Sequence, residues 1–135
     1  MRRILSTKYP TGAFNLAMLI LRLGVGVLIA NHGFGKLAHF SSTKHHFLNF
    51  LGMGSTISLS LVIFAEFFCS IFLILGLFTR LAAIPVIIVM LVALFKVHNG
   101  DLFAEGEKAA IYLAGSLALL LCGPGKISVD GMIGK

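Results

Sequence analysis

A membrane-embedded, all-α bundle of four antiparallel helices is the fold class this sequence predicts, on three observations. Hydrophobic residues fill 58% of the 135 positions and charged residues only 12%, giving a mean hydropathy of +0.99, well outside the composition of soluble domains. The apolar residues gather into four runs near membrane-spanning length: Phe14 to Lys36, Ile57 to Phe78, Leu81 to His98 and Glu107 to Gly123. What lies between them is too little to cover such surfaces from water, so the backbone polar groups must be satisfied within helices in lipid. No internal repeat, low-complexity tract or compositional break divides the chain, and residues 1–135 read as one domain.

The first run follows a basic start, Met1-Arg2-Arg3, as a signal peptide would. Arg22 interrupts it, no small-x-small site closes it and further spans follow, so it is expected to stay as a mature helix. Its Gly24, Gly26, Gly33 and Gly35 let backbones approach closely. Gly33-Phe34-Gly35 follows no strand, which argues against a phosphate loop. The one long connection, Ala38 to Gly54, places Ser41, Ser42 and Thr43 ahead of Phe47, Leu48, Phe50 and Leu51. This order predicts a capped short helix lying along the membrane interface. His45-His46 has no third ligand at helical spacing and carries no metal reading.

Thr79-Arg80 joins the second and third runs with almost no slack, so these two helices form a tight antiparallel hairpin. Pro85 falls near the start of the third, where it is tolerated or kinks the helix. The third and fourth runs each hold about 15 uncharged residues against the roughly 20 of a full span, so their polar ends are expected to snorkel. Ala110, Ala114 and Ala118 supply a small-residue stripe for packing the fourth helix.

The formal charge of +6 is spread between apolar runs, with no basic stripe interleaved with aromatics, which excludes a nucleic-acid partner. A topogenic role fits better. Arg2, Arg3, Lys8, Arg80, Lys126 and Lys135 fall on one side of the membrane and Lys36, Lys44, Lys96 and Lys108 on the other, so both termini are expected to be cytoplasmic. Asp101, Glu105 and Glu107 then lie outside. Cys69 and Cys122 form neither a C-x-x-C nor a metal-ligand spacing and read as small buried residues. No haem, iron–sulfur or dinucleotide motif is encoded, so the chain offers no recognisable cofactor or metal site of its own.

Two charges stand out because they sit inside apolar runs, where an ionisable group costs a few kcal/mol and usually meets a partner or does work. Arg22 lies near the middle of the first span and Glu66 near the middle of the second, which predicts a direct ion pair between them. Such a pair either fixes helix register or forms the floor of a ligand or proton site. At the outer end His32 and Lys36 stand one turn apart on the face that includes Arg22, while Asn31 points away. The third span ends in Lys96 and His98, and the fourth begins with Glu107 and Lys108. His32, Lys36, His98 and Glu107 are therefore expected to ring a pocket mouth. Glu66, His32 and His98 would handle protons there, and Arg22, Lys36 and Glu107 would bind a ligand. The competing reading is that polar span ends only anchor headgroups, and it suits Lys44, Lys96 and Lys108 best.

The run Leu21-Arg22-Leu23-Gly24, then His32-Gly33, Lys36-Leu37 and Glu66, then Leu75-Gly76-Leu77-Phe78-Thr79-Arg80, His98 and Gly123-Pro124-Gly125-Lys126 with Asp130, resembles the DoxX family of small bacterial membrane proteins. The resemblance spans about Leu16 to Asp130 and departs from the family pattern at Gly54, where a proline is common. It implies a multi-pass protein of the bacterial inner membrane serving as a quinone-linked or redox-associated oxidoreductase subunit. Quinone is the ligand so implied, and a soluble or membrane redox partner would deliver the electrons. The alternative is a non-enzymatic scaffold, chaperone or lipid-binding module. Lipid is a partner under either reading, and a homo-oligomer is compatible with both.

Overall fold

The computed structural model describes residues 4–97, 99–104 and 106–134. Helix α1 (Thr11–Ala38) follows Pro10, whose extended backbone starts it, and runs for 28 residues. Helix α2 (Phe40–Thr43) is a single turn. Helix α3 (Ser55–Leu75) is interrupted by a π-helical segment, Phe64–Cys69, and helix α4 (Thr79–Val97) ends in another, Ala93–Val97. Helices α5 (Glu107–Cys122) and α6 (Val129–Ile133) complete the chain, and the described residues contain no strand.

Helices α1, α3 and α4 are long and apolar enough to cross a membrane. At 16 residues α5 rises about 24 Å, short of a hydrocarbon core of about 30 Å. It packs chiefly along α4 and more lightly on α1. The bundle interior is largely apolar, with Ile29, Leu73, Ala83, Val86 and Leu119 fully buried. Leu28, Ile57, Phe64, Ile88, Ile111 and Leu121 instead point outward in the pattern of a lipid-facing surface.

Small residues set the helix contacts, though not all of those expected. A methyl group on Gly33 would lie 2.6 Å from the backbone nitrogen of Phe67, and one on Gly26 would lie 2.6 Å from the Ile74 side chain, so these two glycines let α1 lie against α3. Gly24 and Gly35 have open space beside them. On α5 the packed face is Ala109, Gly115, Ser116 and Leu119, whereas Ala114 is exposed and Ala110 and Ala118 are only half-buried. The expected alanine stripe is thus rotated off the contact: each residue turns the face by about 100°, and Ala110 and Ala114 each lie one position from a buried neighbour.

The long connection also differs from expectation. Its single helical turn is Phe40–Thr43, so Ser41, Ser42 and Thr43 lie within the turn and do not cap a later one. The segment after it is irregular and is tied to α3 by polar contacts: Phe50 N donates to Ser58 Oγ at 3.0 Å and Ser55 Oγ donates to the Lys44 carbonyl at 2.6 Å. Phe47 and Phe50 thereby turn toward the bundle and do not lie flat on it.

At the opposite end the C-terminal segment seals the α3–α4 hairpin. Gly76 ends α3 in the left-handed conformation (φ 70°), with Leu77 N bonded to the Phe72 carbonyl at 2.9 Å and Gly76 N to the Leu73 carbonyl at 3.1 Å. A side chain on Gly76 would also strike the Arg22 guanidinium and Ser128, so only glycine meets both demands. The Asp130 carboxylate accepts from Phe78 N at 2.8 Å and Thr79 N at 2.9 Å, which satisfies two of the free amides opening α4. Lys126 N donates to Asn15 Oδ1 at 3.0 Å and fastens the segment to α1.

Candidate functional site

The expected pair between Arg22 and Glu66 does not form. Arg22 is buried and donates to the carbonyl of Ile74 at the end of α3 and to that of Ile127 in the C-terminal segment. Glu66 instead accepts from Lys36 Nζ, 2.5 Å from its Oε2. The reason is the direction in which helical side chains lean. Gly33 sets the α1 backbone against Glu66, and Arg22 lies eleven residues earlier, roughly 16 Å away along the axis. Side chains tilt toward the N-terminus of their own helix, and α1 and α3 are antiparallel, so Arg22 and Glu66 lean apart. Lys36, three residues past Gly33, is in reach.

The pair is asymmetric in its surroundings. The Glu66 side chain is 5% exposed and that of Lys36 31% exposed. Glu66 lies within the π-helical segment of α3, and Ala93, which lines the same space, opens the π-helical segment of α4. Such segments give up regular i to i−4 bonding and are frequent at functional sites.

Two cavities meet at this pair. The first, about 320 Å³, lies between α3 and α4 beneath the α2–α3 connection. Val62, Val89 and Val92 line its walls, and Phe47 and Phe50 cover it. Lys36, Glu66 and Ser58 supply its polar atoms. Leu61 and Ile88, at its rim, belong to the outward apolar surface, so it opens sideways toward lipid. The second, about 250 Å³, lies on the other side of the pair among α1, α4 and α5. It is lined by His32, Lys36, Glu66, Lys108 and Tyr112 over a floor of Ile29, Met90, Ala93 and Ala109. The His32 and Tyr112 rings meet edge-on at 6.0 Å. An apolar slot of this size with a few convergent polar groups is the usual form of a small-molecule site.

Of the residues the sequence singled out, Lys36, Glu66 and His32 come together, while Arg22 belongs to the seal at the far end. Glu107 is exposed in the first turn of α5 and lines neither cavity. His98 lies outside the described residues. Lys108 and Tyr112 line the second cavity and were not among the candidate site residues read from the sequence. They stand four apart on α5 as His32 and Lys36 do on α1, and this matched spacing was the available signal. Among the described residues no three His, Cys, Asp or Glu side chains gather as a metal site.

The DoxX family profile matches residues 17–99, more than half of the chain and including Arg22, His32, Lys36 and Glu66. The chain belongs to the DoxX family. It is also similar to the inner membrane protein YqjF of Escherichia coli (strain K12), at 27% identity over 127 residues, covering 90% of this chain and 95% of that protein. No solved structure matches the chain significantly. With three spanning helices and this membership, it is a membrane protein. The DoxX profile ends before α5, so Lys108, Tyr112 and the Asp130 seal lie beyond the matched segment.

Proposed function

We propose that this DoxX protein binds a ring-headed hydrophobic ligand of the quinone class in the apolar cavity and serves a redox-associated membrane system, in the inner membrane with both termini cytoplasmic. The observation that carries this reading is the Lys36–Glu66 pair at the inner end of a lipid-facing apolar slot. A quinone headgroup needs flat apolar walls, a donor for a carbonyl oxygen and a group that exchanges protons. The valines, the Lys36 ammonium and the Glu66 carboxylate supply those in turn. The bound ligand would bring two-electron chemistry, with electrons from a partner. Lys36 and Glu66 would orient the ring, and the covering phenylalanines would exclude water.

The test is thermal unfolding of purified protein in nanodiscs with and without a short-tailed quinone analogue. A saturable rise in melting temperature, lost in Glu66→Gln, supports the reading. No shift in the wild type, or an equal shift in Glu66→Gln, would remove it. A scaffold role is the second reading because Arg22, through the carbonyls of Ile74 and Ile127, and Asp130, through the first amides of α4, tie the chain together.

A further inference from the structure

We infer that Glu66 is reached from two sides, by hydrophobic ligands from lipid through the apolar cavity and by water through the His32–Lys108–Tyr112 cavity, which is its proton route. The ligand half rests on the function proposed above; the water half does not. Among the described residues the two cavities share only Lys36, Glu66 and Ala93 in their linings, so the ion pair forms much of the partition between them. Their chemistry differs across it. On the lipid side the remaining described lining is apolar except for Ser58, which is already engaged with Phe50 N and the Gly54 carbonyl.

On the other side, among the described residues, the groups facing Glu66 are Lys36 and His32 from α1 and Lys108 and Tyr112 from α5, while α4 contributes only Met90 and Ala93. His32 and Lys108 are both exposed, so the chamber's polar wall continues to the surface at the end of the bundle where α5 begins. A carboxylate inside a span stays charged only with a cation beside it, and it changes protonation only if a proton can reach it. An imidazole and a phenol in edge contact form a polar path along which water can hand that proton on.

Carbodiimides read both routes without any quinone, so failure here is distinguishable from failure of the ligand assignment. Each reagent adds to a carboxyl group, leaving an N-acylurea on Glu66 or, with Lys36 adjacent, an amide between the two with the reagent released as its urea. Mass spectrometry of the α3 peptide separates Glu66 from Asp101, Glu105, Glu107 and Asp130. Applied to vesicles, apolar dicyclohexylcarbodiimide is expected to modify Glu66 in either orientation. A membrane-impermeant, water-soluble carbodiimide is expected to modify it only from the side bearing Lys108. Ala109→Leu, whose longer side chain projects into the chamber of about 250 Å³, should slow the water-soluble reagent by about tenfold and should leave the apolar reagent unaffected. Val92→Trp should do the reverse. Loss of one reaction with retention of the other separates a blocked route from unfolding, which would expose Glu66 to both reagents. In the unaltered chain, Glu66 resistant to the water-soluble reagent from both sides would overturn the inference, as would modification only from the side bearing the termini.

Discussion

Lys36 of α1 holds Glu66 of α3 across 2.5 Å, and this contact stands where an apolar cavity and a polar one meet. Gly33 makes it possible, since only a residue without a side chain lets α1 lie on the backbone of Glu66 and Phe67. The pair thus depends on a packing detail one helical turn away.

Removing one partner of the pair should cost more than removing both. Lys36→Met leaves a buried carboxylate unpaired. The loss expected is about 2–3 kcal/mol, below the range for fully buried pairs because Lys36 is partly exposed. The double variant Lys36→Met with Glu66→Gln should recover at least half of it. Unfolding in mixed detergent micelles checks this, with the coupling read from the double-mutant cycle.

The Arg22 and Asp130 seal should be separable from the site. Arg22→Met frees the carbonyls of Ile74 and Ile127, and Asp130→Asn weakens the cap on the first amides of α4. Each should destabilise the protein by about 1–3 kcal/mol and speed amide exchange in residues 124–134. Ligand-induced stabilisation of the remaining folded protein should not change. Exchange mass spectrometry and the quinone-analogue melt, run on the same samples, give both readouts.

Two glycines of α1 should respond in opposite ways. Gly33→Ala must displace the backbone of α3 and should lower stability by about 1–3 kcal/mol, as overpacking does. Gly35→Ala meets open space and should be neutral or raise stability by up to about 1 kcal/mol through helix propensity. Comparison of the two unfolding midpoints decides it.

The helical bundle was legible because hydropathy, span length and the short connection between the second and third spans depend on composition and spacing alone, although the turn itself is 76–78 and Thr79-Arg80, expected to form it, already open α4. Glu66, Lys36 and His32 were legible as expensive or surface-seeking polar groups in register on their helices. The Arg22 partner was not, because matching by depth ignores that antiparallel helices lean their side chains in opposite directions. Nor could the sequence reveal that Asp130 caps the start of α4: Phe78 and Asp130, 52 residues apart, meet there through a backbone amide and not through complementary charges. Tyr112 and Lys108 were obscured by an ordinary role for polar span ends. Only the packing of α5 against α1 and α4 turns them toward Glu66.

Photolabelling of the purified protein in nanodiscs with a quinone analogue carrying a ring diazirine, followed by peptide mapping, locates the ligand itself. The expected result is labelling of Phe47, Val89 or Val92, competed by unlabelled quinone and lost in Glu66→Gln. Labelling spread over the outward apolar surface, or unchanged by Glu66→Gln and by competitor, would contradict a ligand site at the Lys36–Glu66 pair.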